Sequence, residues 1–281
     1  MVTGLYYTSE IVLSKVDRCC KVHAVMAYIL AVVNQKGGVG KTTTAINLGA
    51  YLAAHGKFVL LVDLDPQSNA TSGLGLDPSQ IECGTYEALI GESTLREATV
   101  STQIEGLKLA PSTPSLAGAA IELKDLEQRE HRLANLLLEV RNDYDYILVD
   151  CPPSLGLLTI NGLTAVDKLI IPVQAEYYAL EGLSQLLRTI GMVKEVLNPD
   201  LEVLGAVVTM YDGRNRLAND VVEELHTHFP NRVFRSVIPR NVRLAEAPSF
   251  GRPIMEYDPW SKGAKAYERL TKEIIDLEHS Y

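Results

Sequence analysis

Short apolar runs alternate with amphipathic stretches along the chain from residue 28 onward. The apolar runs are rich in Val, Ile and Leu, which is typical of strands buried on both faces. The stretches between them place apolar residues at helical spacing, as Ala45, Leu48 and Leu52 show. Strands that alternate with helices predict an α/β fold, a single doubly wound and mostly parallel sheet with helices on both faces.

The boundaries of the predicted elements follow from this pattern. The strands are 28–33, 58–62, 107–110, 146–149, 168–173, 203–209 and 237–238. The helices are 42–55, 86–90, 116–141, 155–165, 180–197, 218–229 and 260–277. Residues 66–85 are rich in Gly, Ser, Asn and Pro, so we expect a long loop there.

Residues 1–27 form an N-terminal extension outside the predicted domain, which spans 28–281. Charged residues interrupt each apolar stretch of the extension, which excludes a signal peptide. Met26 stands just before the first strand. Either Met26 is the natural start, or the extension is a short real segment.

Composition narrows the class of protein and the kind of partner. The chain has 281 residues, of which 47% are hydrophobic and 22% charged, so it can bury a sizeable core. The formal net charge is −9, so nucleic-acid binding requires a local basic patch. No apolar run reaches the roughly 20 residues of a membrane span. The four cysteines lack the spacing of a zinc site, so we expect reduced thiols in a cytoplasmic protein.

A glycine-rich segment joins the first strand to the first helix. It reads Lys36, Gly37, Gly38, Val39, Gly40, Lys41, Thr42 and Thr43. Backbone N–H groups of such a loop can surround phosphates. Lys41 can reach the β- and γ-phosphates of ATP, and the hydroxyl of Thr42 can bind Mg²⁺. The alternative is a tight turn without a ligand, which the Gly-Lys-Thr-Thr ending disfavours.

The segment departs from the usual pattern G-x-x-x-x-G-K-[ST], because Gln35 replaces the first glycine and Lys36 follows it. It matches the deviant Walker A pattern, K-G-G-x-G-K-[ST]. Over residues 28–281 the chain resembles the ParA/Soj chromosome-partitioning ATPases, in the P-loop NTPase group that includes MinD and the nitrogenase iron protein. The resemblance implies that Lys36 reaches the phosphates of the other subunit in an ATP-sandwich homodimer. The alternative is a surface lysine beside a loop.

Three carboxylates stand at predicted strand ends, where open α/β sheets bind their ligands. Asp63 and Asp65 follow the second strand, and Asp150 follows the strand 146–149. The resemblance implies that Asp65 positions the attacking water, that Asp150 is the Walker B ligand of Mg²⁺, and that Asp63 lies near the metal and the lysines. The alternative for Asp65 and for Asp150 is a turn-forming acid. Residues 151–154 resemble the second switch of the family, with Cys151 as a small buried side chain.

Two later strand ends match the family's adenine site, which implies that Met210, Pro239 and Asn241 contact the base. Pro, Met and Asn can supply flat apolar contact and hydrogen bonds to the base edge. Ordinary loop packing is the alternative.

Arginines are concentrated in residues 203–243, which contain six arginines and four acids. Arg214 and Arg243 match DNA-contacting positions of the family, and guanidinium groups suit phosphate oxygens. Scattered, solvated arginines are the alternative.

The sequence therefore predicts an ATP-dependent DNA-segregation ATPase that uses ATP and Mg²⁺. The resemblance implies a homodimer that binds double-stranded DNA nonspecifically and a ParB/Spo0J-like centromere-binding partner that stimulates hydrolysis. We expect a cytoplasmic, nucleoid-associated protein without a membrane partner. A MinD-like membrane-associated ATPase is the alternative, but residues 272–281 carry three acids and one lysine, which an anionic membrane would repel.

Overall fold

The structure, a computed structural model, describes residues 26–176, 179–230 and 232–278. The prediction for the extension therefore concerns residues that lie almost wholly outside the described ones. Within the described ranges the sheet has seven strands: β1 (Tyr28–Val32), β2 (Val59–Asp63), β3 (Val100–Ser101), β4 (Leu107–Ala110), β5 (Tyr146–Asp150), β6 (Lys168–Gln174) and β7 (Glu202–Thr209).

The strand order is β3-β4-β2-β5-β1-β6-β7. Neighbouring strands run parallel except β3 and β4, which are antiparallel. This arrangement confirms the predicted doubly wound, mostly parallel sheet.

Twelve α-helices lie in the described part of the chain. They are α1 (Lys41–Ala54), α2 (Asn69–Gly73), α3 (Thr85–Ile90), α4 (Leu95–Ala98), α5 (Leu116–Glu122), α6 (Arg132–Val140), α7 (Leu157–Ala165), α8 (Ala179–Val196), α9 (Arg216–His228), α10 (Val242–Glu246), α11 (Ile254–Tyr257) and α12 (Lys262–Glu278). Short 3₁₀ turns cover Pro78–Gln80, Leu123–Asp125, Arg141–Asp143 and Ala247–Phe250.

The two faces of the sheet have separate hydrophobic cores, and β1 contributes to both. Ile29 and Ala31 belong to the core beneath helices such as α6, α7 and α8. Leu30 and Val32 belong to the core beneath α1 and α12. Successive side chains of a strand point to opposite faces, so a continuous apolar run is what a sheet covered on both sides requires.

The predicted helix 116–141 is wrong, because α5 and α6 are separate helices. A side chain of α7, Asn161, forms hydrogen bonds with backbone groups at the start of α6. There the Asn161 Oδ1 accepts a hydrogen bond from the Leu133 backbone N–H, and its Nδ2 donates to the Arg129 carbonyl. These bonds satisfy backbone groups that a continuous helix would have paired internally.

Two further predictions need correction. The predicted loop 66–85 contains α2 and a 3₁₀ turn. The predicted strand 237–238 makes only bridge contacts: the Ile238 N–H donates to Val208, and Tyr211 pairs with Pro239 as an isolated bridge. Pro239 has no backbone N–H with which to continue a ladder.

Strand register places the candidate site. Asp63 at the end of β2 aligns with Asp150 at the end of β5, and Val32 at the end of β1 aligns with Asp150 from the other side. The loops that follow these three adjacent strands therefore emerge at one edge of the sheet.

Candidate nucleotide site

The glycine-rich loop is held in an open curve by its neighbours. Gly38 and Gly40 have φ angles of 72° and 89°, a region that glycine adopts without strain. The Asn34 Oδ1 accepts a hydrogen bond from the Lys36 N–H at 3.0 Å. The Thr209 hydroxyl, at the end of β7, donates to the Val39 carbonyl at 2.8 Å. Hydrogen bonds of the Lys36 N–H and of the Val39 carbonyl thus hold the loop in this shape.

Lys41 is buried at the start of α1, and its ammonium group donates to the Lys36 carbonyl at 3.2 Å. Burial lowers the pKa of Lys41, whereas the carboxylates of Asp150 and Asp65 oppose that shift. A buried cation beside the N-terminus of a helix is an environment that attracts a polyanion.

The turn after β2 is fixed by Asp63, which is fully buried. Its Oδ2 accepts hydrogen bonds from the Thr71 N–H at 2.9 Å and the Thr71 hydroxyl at 2.7 Å, and its Oδ1 accepts one from the Asp65 N–H at 3.2 Å. Burial raises the pKa of Asp63 to about 6, against the lowering effect of these bonds. Asp63 therefore stabilises the turn. Its position near a metal ion stays a prediction.

Asp65 lies in that turn with only 5% of its surface exposed. Its Oδ1 accepts a hydrogen bond from the Gln67 N–H at 3.0 Å, and its carbonyl accepts one from the Ser112 hydroxyl at 2.7 Å. The side chain also lines the cleft that Lys41 and Thr42 line. This position allows the carboxylate to orient a water in the cleft, the role that the family resemblance implies and that stays a prediction.

Asp150 is fully buried, and neither carboxylate oxygen has a hydrogen-bond partner of good geometry, although the Thr42 side chain lies close enough to stabilise its charge. Burial, and then the charge of Asp63, raise its pKa, while Thr42 and Lys41 act in the opposite direction. A buried carboxylate with so few partners favours a nearby cation or a proton. The described residues contain no cluster of three or more His, Cys, Asp or Glu side chains fit to hold a metal alone. These features fit Mg²⁺ held by Thr42, phosphate oxygens and water, with Asp150 nearby.

Lys36 leaves the loop toward Glu176, the residue two positions after β6. The ammonium nitrogen lies 3.6 Å from a Glu176 oxygen, and Arg240 lies 3.5 Å from the other oxygen of the same carboxylate. Lys36 is half-buried and its ion pair is accessible to solvent. Such a pair is weak enough for a phosphate to replace it.

A cleft of about 410 Å³ opens above the loop. Its lining includes the loop, Asp65, Met210 and the segment that carries Pro248 and Arg252. Pro239 and Asn241 do not line it, although Pro239 bridges to Tyr211 beside Met210. The Asn241 Oδ1 accepts a hydrogen bond from the Arg243 N–H and caps α10. The adenine contacts of these residues stay predictions.

The predicted DNA-contacting arginines lie on the surface, and each is paired with acid. Arg214 has 91% of its side chain exposed and holds Asp212 through two hydrogen bonds of 2.9 and 2.7 Å. These bonds lower the pKa of Asp212 to about 2. Arg243 donates to Glu246 at 2.8 Å and lies 3.5 Å from Asp258.

Sequence reasoning missed four positioning residues: Asn34, Thr71, Ser112 and Thr209. All four are buried polar side chains whose hydrogen bonds hold the loop or the turn after β2. Their partners are distant in sequence or are backbone atoms, so no local motif marks them. Cys151 is buried, as the sequence predicts, and burial raises the pKa of its thiol, which keeps it unreactive.

Together the fold and the site define a P-loop nucleotide-binding protein. A family model described as "AAA domain" matches residues 27–203. The sporulation initiation inhibitor protein Soj of Bacillus subtilis is 55% identical over 249 residues, which cover 89% of this chain and 98% of that protein. The chromosome partitioning protein ParA of Myxococcus xanthus is 51% identical over 252 residues, 90% of this chain and 89% of that protein. The chain belongs to the ParA/Soj family of chromosome-partitioning ATPases.

A solved structure gives the same fold. Cobyrinic acid a,c-diamide synthase from Mycobacterium smegmatis, with bound ADP and magnesium, superposes with a TM-score of 0.81 and 40% identity, and covers 91% of this chain and 96% of that chain. A second structure of that synthase contains an ATP analogue and magnesium. Among the described residues no helix is long and apolar enough to cross a membrane.

Proposed function

We propose that this protein binds ATP with Mg²⁺, dimerises around the nucleotide and, as a dimer, binds double-stranded DNA without sequence preference until hydrolysis releases it. The observation that carries the proposal is the convergence of Lys36, Lys41, Asp65 and Asp150 at one edge of the sheet. The buried, sparsely hydrogen-bonded carboxylate of Asp150 supports the presence of Mg²⁺.

Each site residue then has a distinct task. Lys41 and the loop N–H groups would hold the phosphates, and Thr42, with Asp150 nearby, would hold Mg²⁺. Asp65 orients the attacking water, while the loop and its bound neighbours keep the reacting groups aligned. The bound Mg²⁺ would neutralise the charge that develops on the phosphates.

Lys36 acts in the other subunit. Its ammonium group, freed from Glu176, adds positive charge to the phosphates of the facing nucleotide, where phosphoryl transfer develops negative charge. ATP thereby links two copies of the chain. The ion pair between Lys36 and Glu176 is accessible to solvent and weak, which supports this movement.

Arg214 and Arg243 supply the phosphate contacts to DNA. The chain as a whole is acidic, so two basic surfaces on one dimer bind DNA far better than one, through effective concentration. A ParB/Spo0J-like centromere-binding protein stimulates hydrolysis, and the DNA-bound dimer resides on the nucleoid in the cytoplasm. The greater identity to Soj and ParA than to the synthase supports partitioning as the function.

ATP turnover and molecular mass test the proposal together. The wild type should hydrolyse ATP, faster with duplex DNA than without it, and should double its mass with ATP. Lys36→Ala should bind ATP as a monomer yet fail to dimerise or turn over. Lys57→Ala, at the opposite end of the sheet, is the matched control. Absence of turnover with and without DNA would show a nucleotide-binding scaffold instead, and an unchanged Lys36→Ala dimer with unchanged turnover would remove Lys36 from the site.

A further inference from the structure

Three large apolar side chains are exposed around α10 and the turn into α12. Val242 is 70% exposed, Phe250 64% and Trp260 83%. We refer to these three residues as the aromatic patch. Tryptophan is a highly buried residue on average, so a tryptophan this exposed on a folded domain marks a surface for interaction.

The segments that carry the three residues pack against one another. At the start of α12, two residues after Trp260, helix packing on α10 is tight, because a Cβ at Gly263 would come within 2.7 Å of the Leu244 side chain. The Phe250 ring contacts Tyr257 at a centroid distance of 5.0 Å. Arg243 reaches Asp258, two residues before Trp260, at 3.5 Å. Arg243 therefore lies close to the segment that leads to Trp260.

The segment that carries the patch has a net charge opposite in sign to that of the whole chain. Residues 240–265 contain five basic and three acidic side chains, a net charge of +2, whereas the whole chain has −9. Arg252, Lys262 and Lys265 in this segment are exposed. A basic surface with exposed aromatic side chains complements a polyanion that also presents apolar sugar carbons.

We propose that the aromatic patch is a contact surface for the sugar–phosphate backbone of double-stranded DNA, with Trp260 as its principal contact. The indole covers deoxyribose carbons and its Nε1–H donates to a phosphate oxygen, while Arg243 binds the neighbouring phosphate. Tryptophan combines a large apolar surface with one polar donor, which suits this boundary. Such contacts read no base sequence.

A protein partner fits the patch less well. A stable protein interface needs about 1,000 Å² of complementary surface with few charges at its centre. Here three apolar side chains are interspersed with Arg243, Glu246 and Asp258. The proposal rests on the DNA binding proposed above, and it adds the residues that dominate the contact.

Trp260 offers a direct test because it is the only tryptophan in the chain. The full chain with ATP and Mg²⁺ is titrated with unlabelled duplex while tryptophan emission is recorded, and in parallel a fluorescein-labelled duplex reports binding by anisotropy. We expect the emission to change with the same midpoint as the anisotropy. Trp260→Ala should weaken DNA binding about tenfold and Trp260→Phe should restore most of it. Phe58→Ala, an exposed aromatic 58% accessible outside the patch, should bind DNA as the wild type does.

Three results would overturn the proposal. If the anisotropy shows DNA binding while the emission stays constant and Trp260→Ala binds normally, the DNA surface lies elsewhere and the proposed function survives. If the emission changes with ATP before DNA is added, and Trp260→Ala prevents the increase in mass, a second copy of the chain covers the patch. If the anisotropy stays flat in every nucleotide state, DNA is not the partner and the proposed function fails as well. Circular dichroism of each variant confirms its fold.

Discussion

The phosphate-binding edge and the arginine surface, formed by Arg214 and Arg243, rely on different physics. At the first, Lys41, Asp65 and Asp150 are buried, and hydrogen bonds from distant segments fix the loops that carry them. At the second, Arg214 and Arg243 are exposed and each is paired with nearby acid. The first region acts through a few pre-positioned groups in a low-dielectric setting, whereas the second acts through charge that salt and neighbouring carboxylates readily modify.

The largest effect is expected at the buried lysine. Lys41→Ala should weaken ATP binding by about 100-fold or more, because the cation and its charged hydrogen bonds to phosphate are lost. Isothermal titration calorimetry measures this directly. Lys108→Ala, an exposed lysine on β4, is the control. Tight ATP binding by Lys41→Ala would refute the phosphate-binding role of the loop.

The next effect separates binding from chemistry. Asp65→Ala should retain ATP binding and dimerisation, but its hydrolysis rate should fall by roughly 10²- to 10³-fold, since the water loses its orienting group. Asp65→Asn keeps an acceptor for the Gln67 N–H and should show the same loss, so the loss reports charge rather than a disturbed turn. A variant that stays monomeric with ATP would assign Asp65 a structural role.

Charge reversal on the arginine surface should leave the first region intact. Arg214→Glu or Arg243→Glu should weaken DNA binding about tenfold or more at low salt and reduce the salt dependence by roughly one unit of slope per phosphate contact. ATP-driven dimerisation should not change. Arg96→Glu, which breaks an exposed ion pair with Asp143, is a matched reversal elsewhere. Equal affinities for all these proteins on unrelated duplexes would place the DNA surface elsewhere.

The smallest expected effect is an increase in DNA affinity, and it concerns the acid beside Arg214. Asp212→Asn frees the guanidinium and removes a carboxylate that repels phosphate, so DNA binding should tighten by about two- to fivefold, in keeping with an exposed ion pair. Asp220→Asn, an exposed acid on α9, changes the same charge without freeing an arginine. Equal gains from both variants would show that only net charge matters.

The comparison also explains what sequence could and could not predict. The apolar runs identified six of the seven described strands, and the glycine-rich segment identified the loop, because both signals are local. The break between α5 and α6 depends on Asn161, and α2 depends on Thr71 bonding to Asp63. Those contacts arise only when distant elements pack, and no local pattern specifies them.

The site shows the same division. Asp65 and Asp150 are predictable from the sequence because they follow predicted strands. Ser112 and Thr209 stabilise the surrounding loops through hydrogen bonds, but no local sequence pattern marks them. The ion pair between Arg214 and Asp212 could be predicted from the sequence, because the two residues are two positions apart. The contact of Arg243 with Asp258 was not, because it requires α10 to meet the turn after α11.

The central claim is that ATP at the buried edge controls DNA binding at the exposed surface. Anisotropy of a labelled duplex, measured with ATP, with ADP and without nucleotide at constant salt, tests that claim most directly. The account predicts tight binding with ATP and weak binding in the other two states, on duplexes of unrelated sequence. Equal affinity in all three states, or no binding in any of them, would contradict it.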